Sequence, residues 1–327
     1  MTLISGSELR NLRVFTTIVR AGGIAGAQLA LNLSQSTVST HLAALERGMG
    51  VRLCHRGRGG FRLTEAGQVV YDAAKELLSA AEHFRARTAS LQGSISGVLR
   101  IGIVDATVGN PYLPLQAIIR RFGAHAPDVL LDVVVADPVE LEQQLLSGQR
   151  DIGIGVFYQQ ARGLHYEPMY AEEQELYCGV GHPLFAVSNR EVTVERVRAS
   201  PFVARSYLHR LDMERLGYSK AAATVQCMEA QATLILTGRY VGYLPSHYAQ
   251  TWVNAGQMRS LLPKRFRYHS PFFAAYRRGA EDGILLQAFL RDLDAERSSA
   301  GNGPLARLWR FRGEAAVPRL RRRRRAG

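Results

Sequence analysis

Residues 22–46 read GGIAGAQLALNLSQSTVSTHLAALE, and this stretch decides the fold of the first part of the chain. It predicts two short helices joined by a tight turn at residues 32 and 33. Ser34 is a suitable N-cap for the second helix, because its hydroxyl can accept a hydrogen bond from an unpaired backbone N–H. Apolar residues that recur at positions i, i+4 and i+7 predict the buried face of this helix. They are Val38, Leu42 and Leu45.

The opposite face of the second helix carries short or hydrogen-bonding side chains. They are Gln35, Ser36, Ser39 and Thr40. A helix with one apolar face and one small polar face can enter the major groove of DNA and reach the base edges. An ordinary helical hairpin with a polar exposed face has the same spacing, because the spacing of a helix-turn-helix is a loose signal.

The flanking segments favour the DNA-binding alternative. Residues 55–64, HRGRGGFRLT, form a glycine-rich hairpin with several arginines, which is typical of a wing that lies over phosphates. Upstream, residues 7–20 have apolar side chains at helical spacing and predict a supporting helix beneath the pair. These side chains are Leu9, Leu12, Phe15, Ile18 and Val19.

As a set, these motifs resemble the DNA-binding domain of LysR-type transcriptional regulators over about residues 7–67. The matching pieces are SQS at 34–36, VS at 38–39, LE at 45–46, GV at 50–51, Leu53, Arg56 and LTEAG at 63–67. The chain departs from the family pattern at Gly23, Ala25, Gly26, Thr40 and Cys54. We expect Ala25 and Thr40 to remove DNA contacts, since the family has a hydroxyl and an arginine there. We expect Gly26 to cost about 1 kcal/mol relative to alanine inside a helix.

The resemblance implies a winged helix-turn-helix whose partner is double-stranded DNA. We expect the second helix to contact the bases and the arginines to hold phosphates. The candidate DNA-binding residues are Gln35, Ser36, Thr37, Ser39, Thr40, His41, Arg52, Arg56, Arg58 and Arg62.

After the wing, Thr64 is placed to cap one long helix that extends to about residue 92. Small or apolar residues follow alternating steps of four and three, which is the a/d pattern of a coiled coil. They are Val70, Ala74, Leu77, Ala81, Phe84, Thr88 and Leu91. Two interpretations exist: a dimerisation helix that holds two recognition helices one DNA turn apart, or a helix that lies on its own domain. We favour the homodimer, and the resemblance implies the same role and a homotetramer.

Residues 92–97, QGSISG, predict a hinge and a domain boundary. Beyond it, strands and helices alternate, which predicts an α/β domain with a parallel sheet. The predicted strands lie near residues 98–104, 129–135, 151–155, 176–180, 202–204, 223–227, 241–246 and 272–276, and the helices near 111–122, 139–146, 230–237 and 284–293.

This layout is similar to the effector domain of the same family, which has two lobes like a periplasmic binding protein and two crossover strands. The fold class is therefore α/β, with a winged helix-turn-helix and linker helix before a two-lobed domain. The expected domains are 1–66 for DNA binding, 67–92 for the linker helix, 93–300 for the effector and 301–327 for a basic, disordered tail. Lobe I covers about 93–157 and 266–300, and lobe II about 158–265.

Ligands of such sheets collect at the carboxyl ends of the strands. We expect a small-molecule effector there, between the lobes, and the family lends positions rather than a ligand identity. The candidate effector-binding residues are Asp105, Thr107, Asp137, Arg205, Ser206, Tyr207 and Gln226. Arg205 can bind a carboxylate through its two-pronged guanidinium, whereas Asp105 and Asp137 repel an anion unless Arg205 pairs with one of them. An anion, an amine and a neutral polar ligand all stay open.

Charge is divided unevenly along the 327 residues, whose net charge is +13. Residues 1–65 hold eight arginines and three acidic residues, residues 66–300 hold 24 of each sign, and residues 301–327 hold nine arginines and one glutamate. The basic first part suits a phosphate-binding module. The arginine block at 321–325 either adds non-specific attraction to DNA or has no function.

Several classes of protein are disfavoured. The start of the chain has no apolar leader, and no run of about 18 apolar residues predicts a membrane helix, so we expect a cytoplasmic protein without a membrane partner. Cys54, Cys178 and Cys227 show neither disulfide nor metal spacing. Nor does the sequence show a nucleophile–base constellation or a phosphate loop. We therefore expect no enzymatic activity, cofactor or metal.

The favoured interpretation is a sequence-specific transcriptional regulator controlled by a small molecule. One alternative is a two-lobed enzyme or solute-binding protein with an accessory nucleic-acid-binding head. Another is an architectural protein that coats DNA without site preference.

Overall fold

The computed structural model of the chain describes residues 4–55, 61–90, 95–208 and 210–299. The chain divides into two compact units. The first is Met1–Gly97 with Ser147–Gln149, and the second is Val98–Leu146 with Arg150–Gly327. The predicted contacts of Arg56 and Arg58, the last seam residue Leu91 and the tail 301–327 lie outside the described residues.

The first unit begins with helix α1, Gly6–Arg20. Its N-cap is Ser5, whose Oγ accepts a hydrogen bond from the Glu8 N–H at 3.2 Å while the Glu8 carboxylate accepts one from the Ser5 N–H at 2.7 Å. This reciprocal pair satisfies two backbone donors that the first turn of a helix leaves unpaired. Phe15 and Ile18 are completely buried, so α1 forms the centre of the domain as the sequence predicts.

Helix α2, Ile24–Leu31, ends at Asn32, which adopts the left-handed conformation with φ 51°. Helix α3, Gln35–Met49, begins at Ser34, whose hydroxyl accepts a hydrogen bond from the Thr37 N–H at 3.1 Å. The predicted turn and N-cap are therefore confirmed. The predicted inner face is confirmed as well, because Val38 and Leu42 are 0% exposed and Leu45 is 3% exposed.

Gly26 corrects one expectation. A Cβ atom at this position would lie 2.4 Å from the carbonyl oxygen of Ala21 and 2.9 Å from its Cβ. Helix α2 therefore passes so close to the end of α1 that only glycine fits without movement. The expected cost of about 1 kcal/mol for glycine relative to alanine is based on helix propensity alone. It does not include this contact with Ala21.

The wing consists of two short antiparallel strands, β1 (Cys54–His55) and β2 (Arg62–Leu63). Helix α4, Glu65–Ser90, follows directly. Thr64 caps it as predicted, since its hydroxyl accepts a hydrogen bond from the Gly67 N–H at 2.9 Å.

The seam predicted along α4 divides into two parts. Ala74 is buried in the core of the first unit, and Val70 and Leu77 pack against that core. Phe84, further along, is 68% exposed. The first part of the seam is thus used inside the domain, which corrects the interpretation of the whole pattern as a dimer interface, because apolar positions at steps of four and three also serve a helix that packs on its own domain.

The second unit contains nine strands and eight α-helices within its described residues. The strands are β3 Ser96–Ile103, β4 Asp128–Val135, β5 Ile152–Val156, β6 Leu164–Gly179, β7 Val203–Arg205, β8 Ala223–Val225, β9 Val241–Pro245, β10 Met258–Ser260 and β11 Tyr268–Arg277. The helices are α5 Leu115–His125, α6 Pro138–Leu146, α7 Val194–Arg198, α8 Leu211–Leu216, α9 Met228–Leu236, α10 Ser246–Asn254, α11 Pro263–Phe266 and α12 Ile284–Ser299. A 3-10 turn covers Ser206–Leu208.

One mixed sheet has the order β10-β6-β11-β5-β3-β4, with β9 also paired to β6. Strands β3 and β5 run parallel, but β11 is antiparallel to both β5 and β6. The expected α/β fold and the parallel pairing of β3 with β5 are confirmed, but the sheet as a whole is mixed rather than parallel. Strand β6 accounts for the difference: it is 16 residues long, and its polar first part gave no strand signal. A separate parallel pair joins β7 and β8.

Several element boundaries also differ from the predictions. The helix expected from residue 111 begins at Leu115, because Asn110 and the prolines at 111 and 114 form turns instead; the Asn110 side chain accepts a hydrogen bond from the Tyr112 N–H at 2.9 Å. Strand β3 begins at Ser96, inside the expected hinge. Helices α8 and α10 carried no clear periodic signal, so the sequence analysis did not predict them.

The Gly26 contact predicts opposite effects for two glycine-to-alanine substitutions in the first unit. We expect Gly26→Ala to lower the free energy of unfolding by about 1–3 kcal/mol, since the added methyl group overpacks the site. Gly48→Ala is the matched control, because no atom lies within 4 Å of a Cβ there. It should be neutral or stabilise by up to about 1 kcal/mol. Denaturant unfolding of the full chain measures both, and a stabilising Gly26→Ala would contradict the contact.

Candidate functional site

The outward surface of α3 is polar and accessible. Gln35, Ser36 and Thr40 are exposed, and Ser39 is half-buried. The hydroxyl of Thr40 donates to the Ser36 carbonyl at 2.9 Å, and the Ser36 hydroxyl lies 2.8 Å from that of Ser34. These are bonds within the helix and its cap, and they leave the helix surface open to a partner.

Two other predicted DNA-binding residues make structural contacts. The hydroxyl of Thr37 lies 2.8 Å from that of Ser34, so it belongs to the cap of α3. His41 is half-buried, and its Nδ1 lies 2.8 Å from Oδ1 of Asn11 on α1. His41 therefore joins α3 to the supporting helix, a role that sequence spacing alone did not reveal.

The predicted phosphate contacts are described at two positions. Arg52 and Arg62 are both exposed, one just before β1 and the other in β2. The Arg52 carbonyl accepts a hydrogen bond from the Thr64 hydroxyl at 2.7 Å, which ties the start of the wing to the start of α4. The same unit thus presents two exposed arginines and the polar face of α3.

The second unit contains a cavity at the carboxyl end of β3. The empty space of about 330 Å³ around it includes solvent at the open mouth, and the enclosed part is narrow. The cavity is lined by Val104, Asp105, Pro138, Val156, Tyr158, Glu172, Gln174, Arg205, Tyr207, Met228, Pro245 and Phe272. Three of the seven predicted effector contacts, Asp105, Arg205 and Tyr207, therefore line the same cavity.

The other four predicted contacts are not among the lining residues. Thr107 is buried, whereas Ser206 and Gln226 are exposed. Asp137 caps α6, because its Oδ1 accepts hydrogen bonds from the Val139 and Glu140 N–H groups, each at 2.9 Å. Their positions next to strand ends are as expected, but side-chain direction at a strand end depends on local turns that the sequence did not specify.

Arg205 is not a free two-pronged group. Its Nε and Nη2 donate to the Asp212 carboxylate at 2.8 and 3.0 Å, and both side chains are 2% exposed. Nη1 donates to Oε1 of Gln174 at 3.3 Å. Burial would lower the pKa of Arg205, but the Asp212 carboxylate outweighs it and raises that pKa further. Of the two alternatives that the sequence left open, Arg205 pairs with neither Asp105 nor Asp137. Its partner Asp212 lies on α8, a helix that was not predicted.

Asp105 spans from the end of β3 to the beginning of α9. Its Oδ2 accepts a hydrogen bond from the Met228 N–H, the first residue of that helix. Burial raises the pKa of Asp105, while the bond from Met228 and the charge of Arg205 oppose the rise. The next residue, Ala106, adopts a left-handed conformation with φ 56°, and its carbonyl accepts a hydrogen bond from His247 Nε2 at 3.0 Å.

Glu172 is the main cavity residue that the sequence analysis missed. It is 3% exposed and accepts hydrogen bonds from Asn110 Nδ2 at 3.1 Å and Gln174 Nε2 at 2.7 Å. Burial raises the pKa of Glu172 to about 8, although the charge of Arg205 pulls it down. Had residues 164–179 been predicted as a strand, the period of two would have placed Glu172 and Gln174 on one face.

Metal binding, thiol chemistry and membrane insertion were considered for the described part of the chain. No group of three or more His, Cys, Asp or Glu side chains there is arranged to hold a metal ion. Burial raises the pKa of the Cys178 thiol to about 12, so it stays protonated at neutral pH. Among the described helices none alone is long and apolar enough to cross a membrane, whereas α1 and α2, bent by 119°, pass that test of length and composition together.

Comparison with known proteins gives consistent results over nearly the whole chain. Residues 9–68 match the family of bacterial regulatory helix-turn-helix proteins of the lysR type, and residues 92–297 match the LysR substrate binding domain. The chain is 38% identical to the HTH-type transcriptional activator BauR of Pseudomonas aeruginosa, over 88% of this chain and 94% of that protein.

Two solved structures have a similar fold. Full-length CbnR in complex with its target DNA has a TM-score of 0.60 and 19% identity, covering 88% of this chain and 99% of that one. Full-length OxyR from Pseudomonas aeruginosa has a TM-score of 0.61 and 18% identity, covering 96% of this chain and 100% of that one.

The raised pKa of Glu172 predicts a pH dependence of stability. Between pH 4.5 and about 8 the unfolded chain loses the Glu172 proton while the folded chain keeps it, so stability falls as the pH rises. Glutamine does not titrate. The stability of Glu172→Gln relative to the parent should therefore rise by on the order of a few kcal/mol when the pH is raised from 5.5 to 8.5. Denaturant unfolding at both pH values measures this. Glu281→Gln, at an exposed position, is the control, and its stability should differ from that of the parent by the same amount at both pH values. The same pH-independent difference in Glu172→Gln would refute the raised pKa of Glu172.

Proposed function

The chain belongs to the LysR family of transcriptional regulators, and from this premise we propose how its own residues bind DNA, assemble and sense an effector. Transcription regulation through a helix-turn-helix domain and an effector-binding domain is the function of the family. The relatives are regulators, and we infer that this chain likewise acts by binding rather than by catalysis.

We propose that α3 is the recognition helix. The observation that carries this proposal is its division into a fully buried face and an exposed face with Gln35, Ser36 and Thr40. The amide of Gln35 can form two hydrogen bonds with adenine, and the hydroxyls can bond several bases. Arg52 and Arg62 are proposed to hold phosphates, which fixes the position of the helix without reading sequence.

This proposal predicts separable effects on affinity and specificity. Arg52→Ala and Arg62→Ala should each weaken binding to all duplexes and reduce the slope of log K against log salt by about 1. Gln35→Ala should cost about 1–3 kcal/mol on the target site and less on scrambled DNA. Fluorescence anisotropy with the DNA upstream of the chain's own gene, over a salt series, measures both.

Arg190→Ala is the matched control for these arginines, because Arg190 is also exposed but belongs to the second unit. It should leave the slope unchanged. Equal losses at Arg190 and Arg52, or a Gln35→Ala variant that binds target and scrambled DNA as the parent does, would contradict the proposed recognition surface.

We propose that the distal part of α4 forms the homodimer contact and that two dimers assemble into a tetramer. Phe84 supports this, because a phenylalanine that is 68% exposed in the single chain gains from burial against a partner. Two recognition helices held in this way would match a two-fold-related DNA site.

Two exposed apolar residues on α4 provide a test. Phe84 lies on the predicted seam and Val69 does not, and their exposed fractions are 68% and 66%. Phe84→Glu should raise the dissociation constant of the dimer at least tenfold, since it buries a charge in an apolar contact. Val69→Glu should leave it unchanged. Sedimentation equilibrium distinguishes the outcomes, and equal behaviour of the two variants would exclude the seam.

We propose that the cavity of the second unit is the effector site, with Asp105, Glu172 and Tyr207 in contact with the ligand. An effector that binds one conformation more tightly than another shifts the population toward it. In an oligomer such a shift changes the spacing of the DNA-binding domains and thereby their affinity for a two-part site.

A further inference from the structure

Three positive groups border the cavity, and the chain's own carboxylates already engage all three. The guanidinium of Arg205 pairs with Asp212. The first residues of α6 and α9, Pro138 and Met228, both line the cavity, and a helix N-terminus attracts anions. Asp137 accepts hydrogen bonds at the first of these helix ends, and Asp105 at the second. An anionic ligand would have to displace a carboxylate at each of these places.

Of the two carboxyl groups that line the cavity, Glu172 has no such positive partner in the part of the chain that the structure describes. Glu172 receives hydrogen bonds from two neutral amides, those of Asn110 and Gln174. Within the described residues no lysine or arginine nitrogen lies within 4.0 Å of Glu172, and its ion-pair contact is His247 Nδ1 at 3.8 Å. Burial lowers the pKa of His247, so this ring is neutral near pH 7 and supplies no charge. Asp105 is satisfied by one backbone N–H and the helix dipole.

The remaining walls suit an organic group. Val104, Val156 and Phe272 supply apolar surface, and Tyr158 and Tyr207 supply aromatic surface. Aromatic rings attract organic cations through their quadrupole. The enclosed part of the cavity is narrow and opens to solvent, so it suits a compact head group, with the rest of the ligand lying toward the mouth.

We propose that the effector of this chain is a small molecule carrying a protonated primary amine, with the ammonium group held between Asp105 and Glu172. This rests on the proposed function, which assigns the effector to this cavity. The ammonium group supplies the cation that the buried Glu172 carboxyl lacks, and it leaves the Arg205–Asp212 pair and both capped helix ends intact. Of the ligand classes that the sequence left open, the anion is the least compatible with this arrangement.

Binding should depend on pH in a defined direction. The charged and titratable groups that face Glu172 are His247 from α10, Arg205 from β7, Asp105 from the end of β3 and Tyr170 from its own strand. Arg205 keeps its charge, and burial raises the pKa of Tyr170, so neither changes between pH 7 and 8.5. With a pKa of about 8, Glu172 is roughly a tenth ionised at pH 7 and three-quarters ionised at pH 8.5. An ammonium ligand should therefore bind about eightfold more tightly at pH 8.5.

Three probes of equal size test the ligand class: n-propylammonium chloride, sodium propionate and 1-propanol. Their dissociation constants for the full chain are measured by thermal shift and ligand-detected NMR at constant ionic strength, at pH 7 and 8.5. We expect propylammonium to bind at least tenfold more tightly than propionate and to tighten about eightfold at the higher pH. This comparison of ligand classes needs only the unmodified chain.

Three variants then locate the binding site. Val156→Phe fills the cavity and should abolish binding of propylammonium. Glu172→Gln removes the carboxylate and should weaken binding at least tenfold at pH 8.5, less at pH 7, and remove the pH dependence. Glu281→Gln, at an exposed position, is the matched control and should behave as the parent. Retention of propylammonium binding in Val156→Phe would overturn the proposal by showing a surface effect.

The other outcomes separate this inference from the proposed function. If propionate or propanol binds more tightly, and Val156→Phe abolishes that binding, the cavity is an effector site but the ammonium assignment is wrong. If no probe differs from sodium chloride, the ammonium assignment is also overturned. The proposed function then stands or falls on a metabolite screen, in which any compound that stabilises the parent must lose its effect in Val156→Phe.

Discussion

A carboxyl group that leaves water must gain a cation, hydrogen-bond donors or a proton, and the second unit depends on how this rule is met. Asp212 gains Arg205, Asp105 gains a helix N-terminus, and Glu172 gains two amides and a raised pKa. In the first two arrangements, removing the partner would leave a buried charge alone and destabilise the fold. In the third arrangement no cation among the described residues pairs with Glu172 and the carboxyl is mostly protonated near pH 7, so its ionised form is what a cationic ligand would stabilise.

The first unit could be predicted in detail because its signals are local. Ser34 caps α3 with a backbone donor three residues away, and the apolar face of α3 repeats within three turns. The resemblance to LysR-type regulators rested on the same short stretch, and the family is confirmed over nearly the whole chain. Where the prediction failed, the cause was a contact from outside the motif: Ala21 against Gly26, and Asn11 against His41.

The cavity could be predicted only in outline because its contacts are distant in sequence. Strand ends placed Asp105 and Arg205 correctly at its edge. Glu172 was missed because β6 has acidic and polar residues where a buried strand usually has apolar ones. Two of those polar residues, Glu172 and Gln174, line the cavity. The side chains that hid the strand in the sequence therefore include the ones that make the cavity polar.

The pairing of β6 with β11 contains one irregularity, and it lies near the cavity. The pairing runs without interruption from Leu164 to Gln174 except at one place, where Phe272 pairs with Tyr170 but Phe273 pairs with Pro168. Phe272 also lines the cavity. The one register shift in this described pair of strands therefore lies at the proposed ligand site. A β-bulge bends its strand and increases the local twist, so the backbone at Phe272 and Phe273 departs from the regular sheet beside the cavity.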